Sequence, residues 1–574
     1  MKRKIIWFLV SCVMVAALVL ASCGPTTPTT PTTPGGEEPQ YGGKVTLLGF
    51  YVEREPISWD PADASGFIDY YCSPYMEKLV MGDLQKGPRG TNEWPFNVVS
   101  FTPNEMLTGN LAESWEMPDA LTLVVHMRKG IKWQAKPGVM AARELTAEDA
   151  AFSFNRYLNG PKRASATSFV DSVTATDKYT LVFKFNEFSA NWGTAIFFGR
   201  ASLIYPPELV DADITDWRNA VGSGPFMLTD YVSGASVTYE KNPTYWNTET
   251  IDGKEYPLPF VDSLHLPIIL EESTRVAALR TGKADIMNFG TYKYAESLEK
   301  SNPDLQMWAV PPGKCRRIFM RTDTEPFDDI RVRQALNMAV DNQAIFNSVH
   351  GGVGNLLGYL FSSAWTENVY TPLEKLPEDA RMLFEYHPEK AKQLLAEAGY
   401  PNGFETFLEC ASLAEDTDIA AMVVSYWQDI GVECEIRPMA SQVLYSLYTK
   451  KNHTGMVMYP STGNGDPINQ LRLQGFPGAK LNGSIVNDPE FTEALLKIEG
   501  TVDSTERNAL IKQLNVDFIS KAYYVGLPEA YGYRYAQPWI RNYYGENEST
   551  YYGPFPIYTR IWQDLDMKNK MLGN

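Results

Sequence analysis

Residues 404–437 read FETFLECASLAEDTDIAAMVVSYWQDIGVECEIR, and this stretch decides the fold class. Its pattern predicts a strand from Phe404 to Cys410, a helix from Asp418 to Ile430 that Gly431 ends, and a second strand from Val432 to Arg437. Strand, helix and strand at this spacing form a βαβ unit, in which the two strands are parallel and helices cover the sheet. The chain is therefore predicted to have an α/β fold.

The first half of the chain contains more strand patterns than helix patterns. Leu121–Met127 is β-rich, and Tyr179–Phe185 alternates apolar and polar residues with period two, as a half-buried strand does. Thr146-Ala147-Glu148-Asp149 reads as a capping box that opens a helix ending at Leu158. A short helix is also expected at Tyr75–Leu79. The first half is thus expected to be a more β-rich part of the same α/β protein.

The N-terminus predicts export and lipid anchoring. Lys2, Arg3 and Lys4 precede an apolar run from Ile5 to Leu20, and Leu20-Ala21-Ser22-Cys23 resembles the bacterial lipobox. The apolar run is short for a transmembrane span of roughly 20 residues, which favours a signal peptide over residues 1–22. Cys23 is therefore the expected lipidation site, on the outer face of the cell membrane, in the periplasm or at the cell surface.

A low-complexity segment separates the expected anchor from the folded body. Pro25–Pro34 repeats Pro-Thr-Thr and is followed by Gly35-Gly36. Proline fixes φ and removes hydrogen-bond donors, so residues 23–40 are expected to form an extended tether. At about 3.1 Å per residue, the part from Pro25 to Gln40 would reach roughly 50 Å.

Composition excludes several classes of partner. The chain has 574 residues, a formal net charge of −18 and 44% hydrophobic residues, so it can bury large cores in two or three lobes. Loss of the three basic residues of the signal would make the charge more negative still. An acidic surface opposes binding to nucleic acid and to anionic lipid.

The cysteines and histidines do not indicate a metal site. The five histidines are dispersed, and no Cys-x-x-Cys motif is present. Because export permits disulfides, Cys410 and Cys434 on the two predicted neighbouring strands are the pair to test. Otherwise the scattered cysteines are expected to be buried thiols.

Motifs along nearly the whole chain resemble the extracytoplasmic solute-binding proteins of ABC importers, specifically the large peptide-binding class called family 5. The strongest is Pro326-Phe327-Asp328-Asp329-Ile330-Arg331-Val332-Arg333-Gln334-Ala335, closed by Ala339-Val340-Asp341. The others, in the family's order, are Leu111–Glu116, Met127–Trp133, Leu145–Ser153, Val221–Phe226, Lys241–Trp246, Gly282–Ile286, Asn487–Phe491 and Pro538-Trp539. The motif that begins at Pro326, Asn242-Pro243 and Gly222-Ser223-Gly224 are interpreted as helix caps, packing positions and turns that identify the fold without contacting a ligand.

The resemblance implies a two-lobed periplasmic-binding-protein fold, type II-like, with an extra subdomain and a hinge between the lobes. The implied ranges are 41–75, 221–312 and 536–574 for lobe I, 76–220 for the extra subdomain and 313–535 for lobe II. Pro311-Pro312-Gly313 is then either a hinge or a simple loop. The implied mechanism is closure of the lobes around a ligand without covalent chemistry, so no catalytic residue and no cofactor is expected.

The resemblance also points to ligand contacts on lobe II. Peptide-binding members carry a tryptophan and an amine-pairing aspartate before a segment that matches Tyr459–Pro467 here. Aligned on Gly465-Asp466-Pro467, the amine-pairing position falls on Gly463, and no tryptophan precedes it. A buried ammonium rarely lacks its carboxylate, so either another acid such as Asp466 substitutes or the ligand is not a free-amine peptide. Some relatives with this fold bind oligosaccharides, which leaves that ligand class open.

The first-lobe contact loop implied by the resemblance is Ser65–Tyr70. Together with lobe II, the expected ligand-binding residues are Gly66, Phe67, Asp69, Tyr70, Tyr459, Gly463, Asn464 and Asp466. The expected partners are ABC permease subunits, and the protein is expected to be a monomer. Two other classes remain open: a surface-anchored hydrolase, for which no Gly-x-Ser-x-Gly or HExxH motif is present, and a receptor for a membrane sensor.

Overall fold

The computed structural model describes residues 38–49, 56, 58–62, 68–97, 101–160, 167–199, 202–311, 314–356, 360–361, 368–462, 466–550 and 553–573. All of them belong to one compact unit, Gly36–Asn574. The expected signal peptide, Cys23 and most of the expected tether lie outside the described residues.

The strands, in chain order, are β1 Lys44–Leu48, β2 Val80–Gly82, β3 Leu107–Gly109, β4 Ala112–Asp119, β5 Thr122–Met127, β6 Val170–Asp177, β7 Thr180–Phe185, β8 Phe226–Val232, β9 Ser236–Lys241, β10 Thr248–Ile251, β11 Lys254–Pro257, β12 Ser263–Pro267, β13 Ile286–Gly290, β14 Gln306–Val310, β15 Lys314–Met320, β16 Gly354–Asn355, β17 Glu405–Ala411, β18 Glu433–Met439, β19 Met456–Thr462, β20 Tyr524–Gly526, β21 Glu529–Ala530, β22 Gly532–Ala536, β23 Ile540–Arg541 and β24 Trp562–Gln563.

The α-helices are α1 Ile68–Cys72, α2 Ala147–Leu158, α3 Pro207–Asp211, α4 Glu272–Arg280, α5 Tyr292–Ser301, α6 Ile330–Met338, α7 Asn342–His350, α8 Glu378–Arg381, α9 Pro388–Glu397, α10 Ala414–Gln428, α11 Ser441–Lys450, α12 Pro467–Gly475, α13 Pro489–Gly500, α14 Ser504–Ser520, α15 Phe555–Tyr558 and α16 Leu565–Leu572.

Three larger sheets organise the described residues. A seven-stranded sheet has the order β14-β22-β13-β1-β12-β9-β8, a five-stranded sheet the order β18-β17-β19-β15-β20, and a four-stranded sheet the order β4-β5-β7-β6. Strand β1 is parallel to β12 and β13, and β17 is parallel to β18 and β19. Because the two largest sheets are mixed and helices pack on them, the predicted α/β class is confirmed.

The predicted βαβ unit is confirmed as β17, α10 and β18. The strands pair in parallel from Glu405 opposite Glu433 to Ala411 opposite Met439. Helix α10 begins four residues earlier than predicted, at Ala414, which places two acidic residues in its first turn, where the helix dipole favours them. Trp427 is fully buried between helix and sheet, and its Nε1 donates to the Leu336 carbonyl oxygen at 2.9 Å.

The proposed Cys410–Cys434 disulfide is wrong because of strand register. Cys434 lies opposite Thr406, whereas Cys410 lies opposite Pro438. Four residues of offset separate the two cysteines by about 13 Å along the strands. A disulfide needs Cα atoms within about 7 Å, so both cysteines are free thiols, as are Cys72 and Cys315.

The seven-stranded sheet is built from distant parts of the chain. Its strands come from residues 44–48, 226–310 and 532–536. The predicted boundary at 535/536 would divide β22, in which Tyr535 pairs with both Met287 and Met307, so a boundary between the sheets has to lie before Gly532. The lobe and subdomain ranges otherwise stay a prediction, and two of the three expected hinge residues, Pro312 and Gly313, lie outside the described residues.

The helix expected at Tyr75–Leu79 is wrong. Helix α1 ends at Cys72, and Pro74 cannot donate the backbone hydrogen bond that would continue it. The segment instead runs beside the 222–226 turn, with Gly224 N donating to Tyr75 O at 2.9 Å and Phe226 N donating to Pro74 O at 3.0 Å.

Two helix caps explain motif residues that the sequence singled out. Asp329, rather than Asp328, caps α6 by accepting from Arg331 N at 2.8 Å, and Ala335 and Ala339 of this motif are fully buried. The predicted capping box of α2 also forms, since the Asp149 carboxylate accepts from Thr146 N at 2.9 Å. These residues position helices, as the sequence analysis expected.

A buried carboxyl group joins two further motifs. Glu77 accepts hydrogen bonds from Ser223 Oγ at 2.8 Å, from Tyr245 Oη at 3.1 Å and from Trp246 Nε1 at 3.1 Å. Burial raises the pKa of Glu77 to about 7 despite these donors. The glycine-proline turn and the Asn-Pro-x-Tyr-Trp motif are therefore held together by Glu77.

Glu77→Gln is expected to flatten the pH dependence of stability between about pH 4.5 and pH 7. The pKa of Glu77 is higher in the folded chain than the ordinary value of 4.5, so the folded state binds more protons in this window and loses stability as pH rises. Urea unfolding of both proteins at pH 4.5, 6 and 8 measures the change. Because the pKa of buried Glu529 is also raised to about 7, part of the slope should remain. An unchanged slope in the variant would contradict the assignment.

Candidate functional site

The two largest sheets direct the carboxyl ends of their parallel strands toward a common cleft. A cavity of about 970 Å³ is lined by residues at or just after the ends of β13 and β14, namely Gly290, Thr291, Val310 and Pro311. Its opposite wall is formed at the start of β15 and just beyond β17, by Cys315, Arg316 and Glu415. Crevices outside the carboxyl ends of strands are the usual ligand sites of α/β proteins.

Two charged groups on one wall of this cavity, Arg316 and Glu415, are paired with each other. Arg316 forms hydrogen-bonded ion pairs with Glu415 and with Asp416, all at 3.0 Å. His350 is not among the lining residues, but its Nδ1 lies 3.7 Å from Glu415 Oε1 behind this wall, and burial lowers the pKa of this histidine. Arg316 and Glu415 therefore belong to a fixed polar network, whereas the other charged lining residues are Glu272, Lys293, Asp418, Glu529 and Arg534. The aromatic side chains of the cavity are Phe289, Tyr292, Tyr531 and Tyr533.

A second cavity of about 810 Å³ lies between residues of the 94–194 region and residues beyond β19. It contains Asp466, one of the expected ligand-binding residues, and Arg507 of α14. Its aromatic and other apolar lining residues include Trp94, Phe101, Met117, Phe188, Trp192 and Ile511. A mostly apolar cavity of this size with a few charged groups is typical of small-molecule sites.

Asp466 serves the scaffold and also faces this second cavity. It caps α12, with its carboxylate accepting from Asn469 N at 3.0 Å. Burial raises the pKa of Asp466, while the hydrogen bonds of the cap, the Arg507 charge and the Thr194 hydroxyl act in the opposite direction. The expectation that Asp466 contacts ligand stays a prediction, and its capping role was not foreseen.

Arg507 lines the same cavity with an unusual hydrogen-bond pattern. Its Nη1 donates to the carbonyl oxygens of Thr501 and Val502 at 2.9 and 3.0 Å. Burial lowers the pKa of Arg507, although Asp466, Asp503 and Glu105 oppose the shift. Sequence analysis missed Arg507, because an arginine in the first turn of a polar helix looks like a solvent-exposed residue.

The other expected site residues occupy different places. Asp69 and Tyr70 lie in α1 and are almost fully buried, and Tyr70 Oη donates to Glu548 Oε1 at 2.6 Å. Neither is among the described residues that line the two cavities. Tyr459 in β19 stacks on Tyr448 with ring centroids 4.6 Å apart and planes 15° apart. Gly66, Phe67, Gly463 and Asn464 lie outside the described residues.

In the described part of the chain, no group of three or more His, Cys, Asp or Glu side chains is arranged to hold a metal ion. No helix among the described residues is long and apolar enough to cross a membrane.

Comparisons with known proteins agree on one family. The family described as bacterial extracellular solute-binding proteins, family 5 (middle), matches residues 106–482. Heme-binding protein A of Haemophilus influenzae is 30% identical over 466 residues, which cover 75% of this chain and 81% of that protein. Di/tripeptide-binding protein 3 of Pseudomonas aeruginosa is 26% identical over 498 residues, covering 81% and 86%. The structure of the periplasmic binding protein DppA of Helicobacter pylori, in complex with the peptide STSA, has a TM-score of 0.69 at 22% identity and covers 92% of this chain and 99% of that one.

Proposed function

Because this chain belongs to the family 5 bacterial extracellular solute-binding proteins, we propose that it captures a peptide or peptide-like solute and delivers it to the permease of an ABC importer. Proteins of this family have a two-lobed α/β fold, act outside the cytoplasm with ABC permease subunits, and are binding proteins rather than enzymes. For this chain, the substrate and the mode of anchoring go beyond these family properties and are proposed in the following paragraphs.

The observation that carries the proposal is the cleft at the carboxyl ends of the strands of both large sheets. A ligand that bridges two sheets stabilises the closed arrangement by its differential contacts, and a permease can then recognise that arrangement. Such a cycle needs no nucleophile, no metal and no proton transfer.

Peptides are the favoured substrate class for two reasons. Relatives that match most of the chain are named for dipeptides, di- and tripeptides, and glutathione. The cleft itself combines aromatic side chains, Tyr292 and Tyr533 among them, with both an acid, Asp418, and a base, Lys293, which suits a solute with side chains and two charged ends. Gly463 at the usual amine-pairing position means that another acid has to receive the amine.

Haem is less consistent with the same walls, although one relative is named for it. In the described linings of the two cavities there is no histidine, the commonest axial ligand of haem iron. The sulfur side chains in these described linings are Met117, Cys315 and Met422, and of these Cys315 is almost fully buried, with the pKa of its thiol raised by burial.

Anchoring through Cys23 is proposed from the lipobox-like Leu20-Ala21-Ser22-Cys23. Two acyl chains on one cysteine hold a protein stably at a membrane, whereas one chain gives only marginal binding. The Pro-Thr tether of residues 23–40 would then leave the folded body free to reach a permease. We expect this body to act as a monomer, because each chain carries both walls of the cleft.

Short peptides are expected to stabilise the protein against heat, whereas oligosaccharides are not. At about one hundred times its Kd, a ligand that binds only the folded state adds roughly 2.7 kcal/mol to the free energy of unfolding. A thermal-shift screen of the full chain against pooled di- and tripeptides and pooled oligosaccharides measures this. A shift with sugars alone, or with neither pool, would contradict the peptide proposal.

A further inference from the structure

A third cavity, of about 320 Å³, lies away from the cleft at the strand ends. Its walls come from β3, the start of β10, Arg128 just after β5 and Arg560 just after α15. Strand β9, which precedes β10, ends beside the first residues of β1 and β12, whereas the cleft lies at the carboxyl ends of the strands. Among the described residues, this cavity has no lining residue in common with the cleft or with the cavity that contains Asp466.

Two of the sequence motifs that the transport cycle does not use meet at this cavity. Arg128 comes from the motif Met127–Trp133 and Trp246 from the motif Lys241–Trp246. The Arg128 Cζ atom lies 5.5 Å from the centroid of the Trp246 ring, close enough for a cation–π interaction. Both motifs therefore supply a side chain to one polar cavity.

The guanidinium group of Arg128 is held in place before any ligand binds. Its Nε donates to the Asn110 carbonyl oxygen at 2.8 Å. The ring of Trp246 on which it lies is fixed in turn, because Trp246 Nε1 donates to buried Glu77 at 3.1 Å. Within the described residues, Nη1 and Nη2 of Arg128 have no hydrogen-bond acceptor, and neither atom is buried. The free side of a planar, oriented fork of donors therefore faces the cavity.

The other charged side chains of the lining are already engaged. Arg560 Nε donates to Glu249 Oε2 at 2.6 Å, and the Asp83 carboxylate accepts from Gln85 N at 3.1 Å. Among the described lining residues, Arg128 is thus the one cation with no carboxylate within 4.0 Å. In a chain with a net charge of −18, a guanidinium left open in this way is a site for an anion.

The surroundings restrict which anion fits. A doubly charged group would be repelled by Asp83 and Glu249, whereas a single carboxylate matches the two donors of the fork. Hydroxyl and amide groups of Thr108, Thr248 and Asn247 line the same cavity and can bond to hydroxyl groups of a ligand. A volume of about 320 Å³ is at the lower end of the range for small-molecule sites, which favours a small solute.

We propose that this cavity is a second binding site, and that it takes a small hydroxylated monocarboxylate of the aldonic or uronic acid class. Its carboxylate pairs with Nη1 and Nη2 of Arg128, and its hydroxyl groups bond to Thr108, Thr248 and Asn247. The bound acid joins β3 and the end of β5 to β10. The site is separate from the cleft, so this proposal goes beyond the proposed function and does not depend on it.

The test compares two acids with the alcohols that match them. The purified full chain is titrated calorimetrically at pH 7.5 and constant ionic strength with D-gluconate and D-sorbitol, and with D-glucuronate and D-glucose. In each pair, a CH₂OH group replaces the carboxylate. At least one acid is expected to bind about 10- to 100-fold more tightly than its alcohol, because the alcohol loses hydrogen bonds to a charged group. Inorganic sulfate, which is doubly charged, should bind more weakly than that acid.

Three variants place the binding at Arg128. Arg128→Gln should weaken the acid about 10- to 100-fold and leave the alcohol unchanged. Thr248→Glu alters an exposed position and should weaken the acid at least about 10-fold, because it adds a competing carboxylate to the cavity. Arg218→Gln is the matched control: Arg218 Cζ lies 5.4 Å from the Trp217 ring centroid, but this arginine is paired with Asp216 and is not among the described residues that line the cavity. Its loss should leave acid binding unchanged.

The proposal is overturned if neither acid binds, if each acid binds no more tightly than its alcohol, or if sulfate binds as well as the better acid. It is also overturned if Arg128→Gln binds the acid as the wild type does, or if pooled dipeptides displace the acid, since either result would place the acid elsewhere. Should Arg128→Gln unfold, Thr248→Glu decides in its place. Peptide binding in the cleft stands or fails by the thermal-shift screen, whichever result these titrations give.

Discussion

Asp285→Ala is expected to lower the free energy of unfolding by about 3–5 kcal/mol. The Asp285 carboxylate is buried and accepts from Thr46 N at 2.8 Å, Trp539 Nε1 at 2.8 Å, Gln563 Nε2 at 3.1 Å and Lys568 Nζ at 3.0 Å. Alanine would leave Thr46 N, Trp539 Nε1 and Gln563 Nε2 without this acceptor in a buried site and would remove the anion beside Lys568, whose Nζ keeps the Lys44 carbonyl oxygen at 3.3 Å. Removing one partner from a buried charged network typically has this effect.

Urea unfolding followed by tryptophan fluorescence measures the loss. Asp262→Ala is the matched control, because Asp262 is exposed and its carboxylate accepts, among the described residues, a single hydrogen bond from Gly43 N at 3.2 Å. A surface change of this kind should stay within about 0.5 kcal/mol. Equal effects of the two substitutions would show that the Asp285 network does not hold the sheet together. Asp285→Asn should fall between them, since it keeps one acceptor oxygen.

Asp285 also shows which part of the fold a sequence can predict. The βαβ unit of residues 404–437 was predicted because its strands and helix follow one another, and local pattern and glycine position suffice. The contacts of Asp285 join β1, β13 and the C-terminal segment across more than 200 residues. The motif Gly282–Ile286, which contains Asp285, was recognised as part of the fold. No local sequence pattern, however, indicates which hydrogen-bond donors contact the Asp285 carboxylate.

The Cys410–Cys434 proposal failed for a related reason. Neighbouring strands were predicted correctly, yet register decides whether two residues meet, and a four-residue offset is enough to separate them. Strand register in a parallel pair depends on how the connecting helix packs. No pattern in either strand fixes it.

The candidate site was predictable only where the family resemblance covers it. Asp466 was found through the alignment on Gly465-Asp466-Pro467, whereas Trp94, Phe101, Trp192 and Arg507 come from separate segments that tertiary packing brings together. Asp69 and Tyr70 were expected in a ligand-contacting loop, but Ile68–Cys72 forms a buried helix. A five-residue segment with apolar side chains and two tyrosines is compatible with a ligand-contacting loop and with a buried helix. Its burial in the folded chain decides between these two structures.

Arg560→Met is expected to destabilise the protein by about 3–5 kcal/mol, while the double change Arg560→Met with Glu249→Met recovers most of that loss. Arg560 Nε donates to Glu249 Oε2 at 2.6 Å, and both side chains are less than 10% exposed. Removing the guanidinium alone leaves a buried carboxylate, for which Gln85 Nε2 at 3.4 Å is a weak substitute. Replacing both charges removes the desolvation cost of each.

A double-mutant cycle, measured by urea unfolding, separates the effect of losing each charge from the interaction free energy between the two charges. The two single variants should each lose more than the double variant, which gives a coupling free energy of about 2–4 kcal/mol, since the pair is desolvated and in direct contact. The pair joins β10 to the chain beyond α15, 311 residues away, so the coupling measures how firmly the C-terminal segment is held to the rest of the body. If the losses of the single variants simply add in the double variant, the two charges do not act as a pair, and the C-terminal segment has to be held by its other contacts, among them those with Asp285.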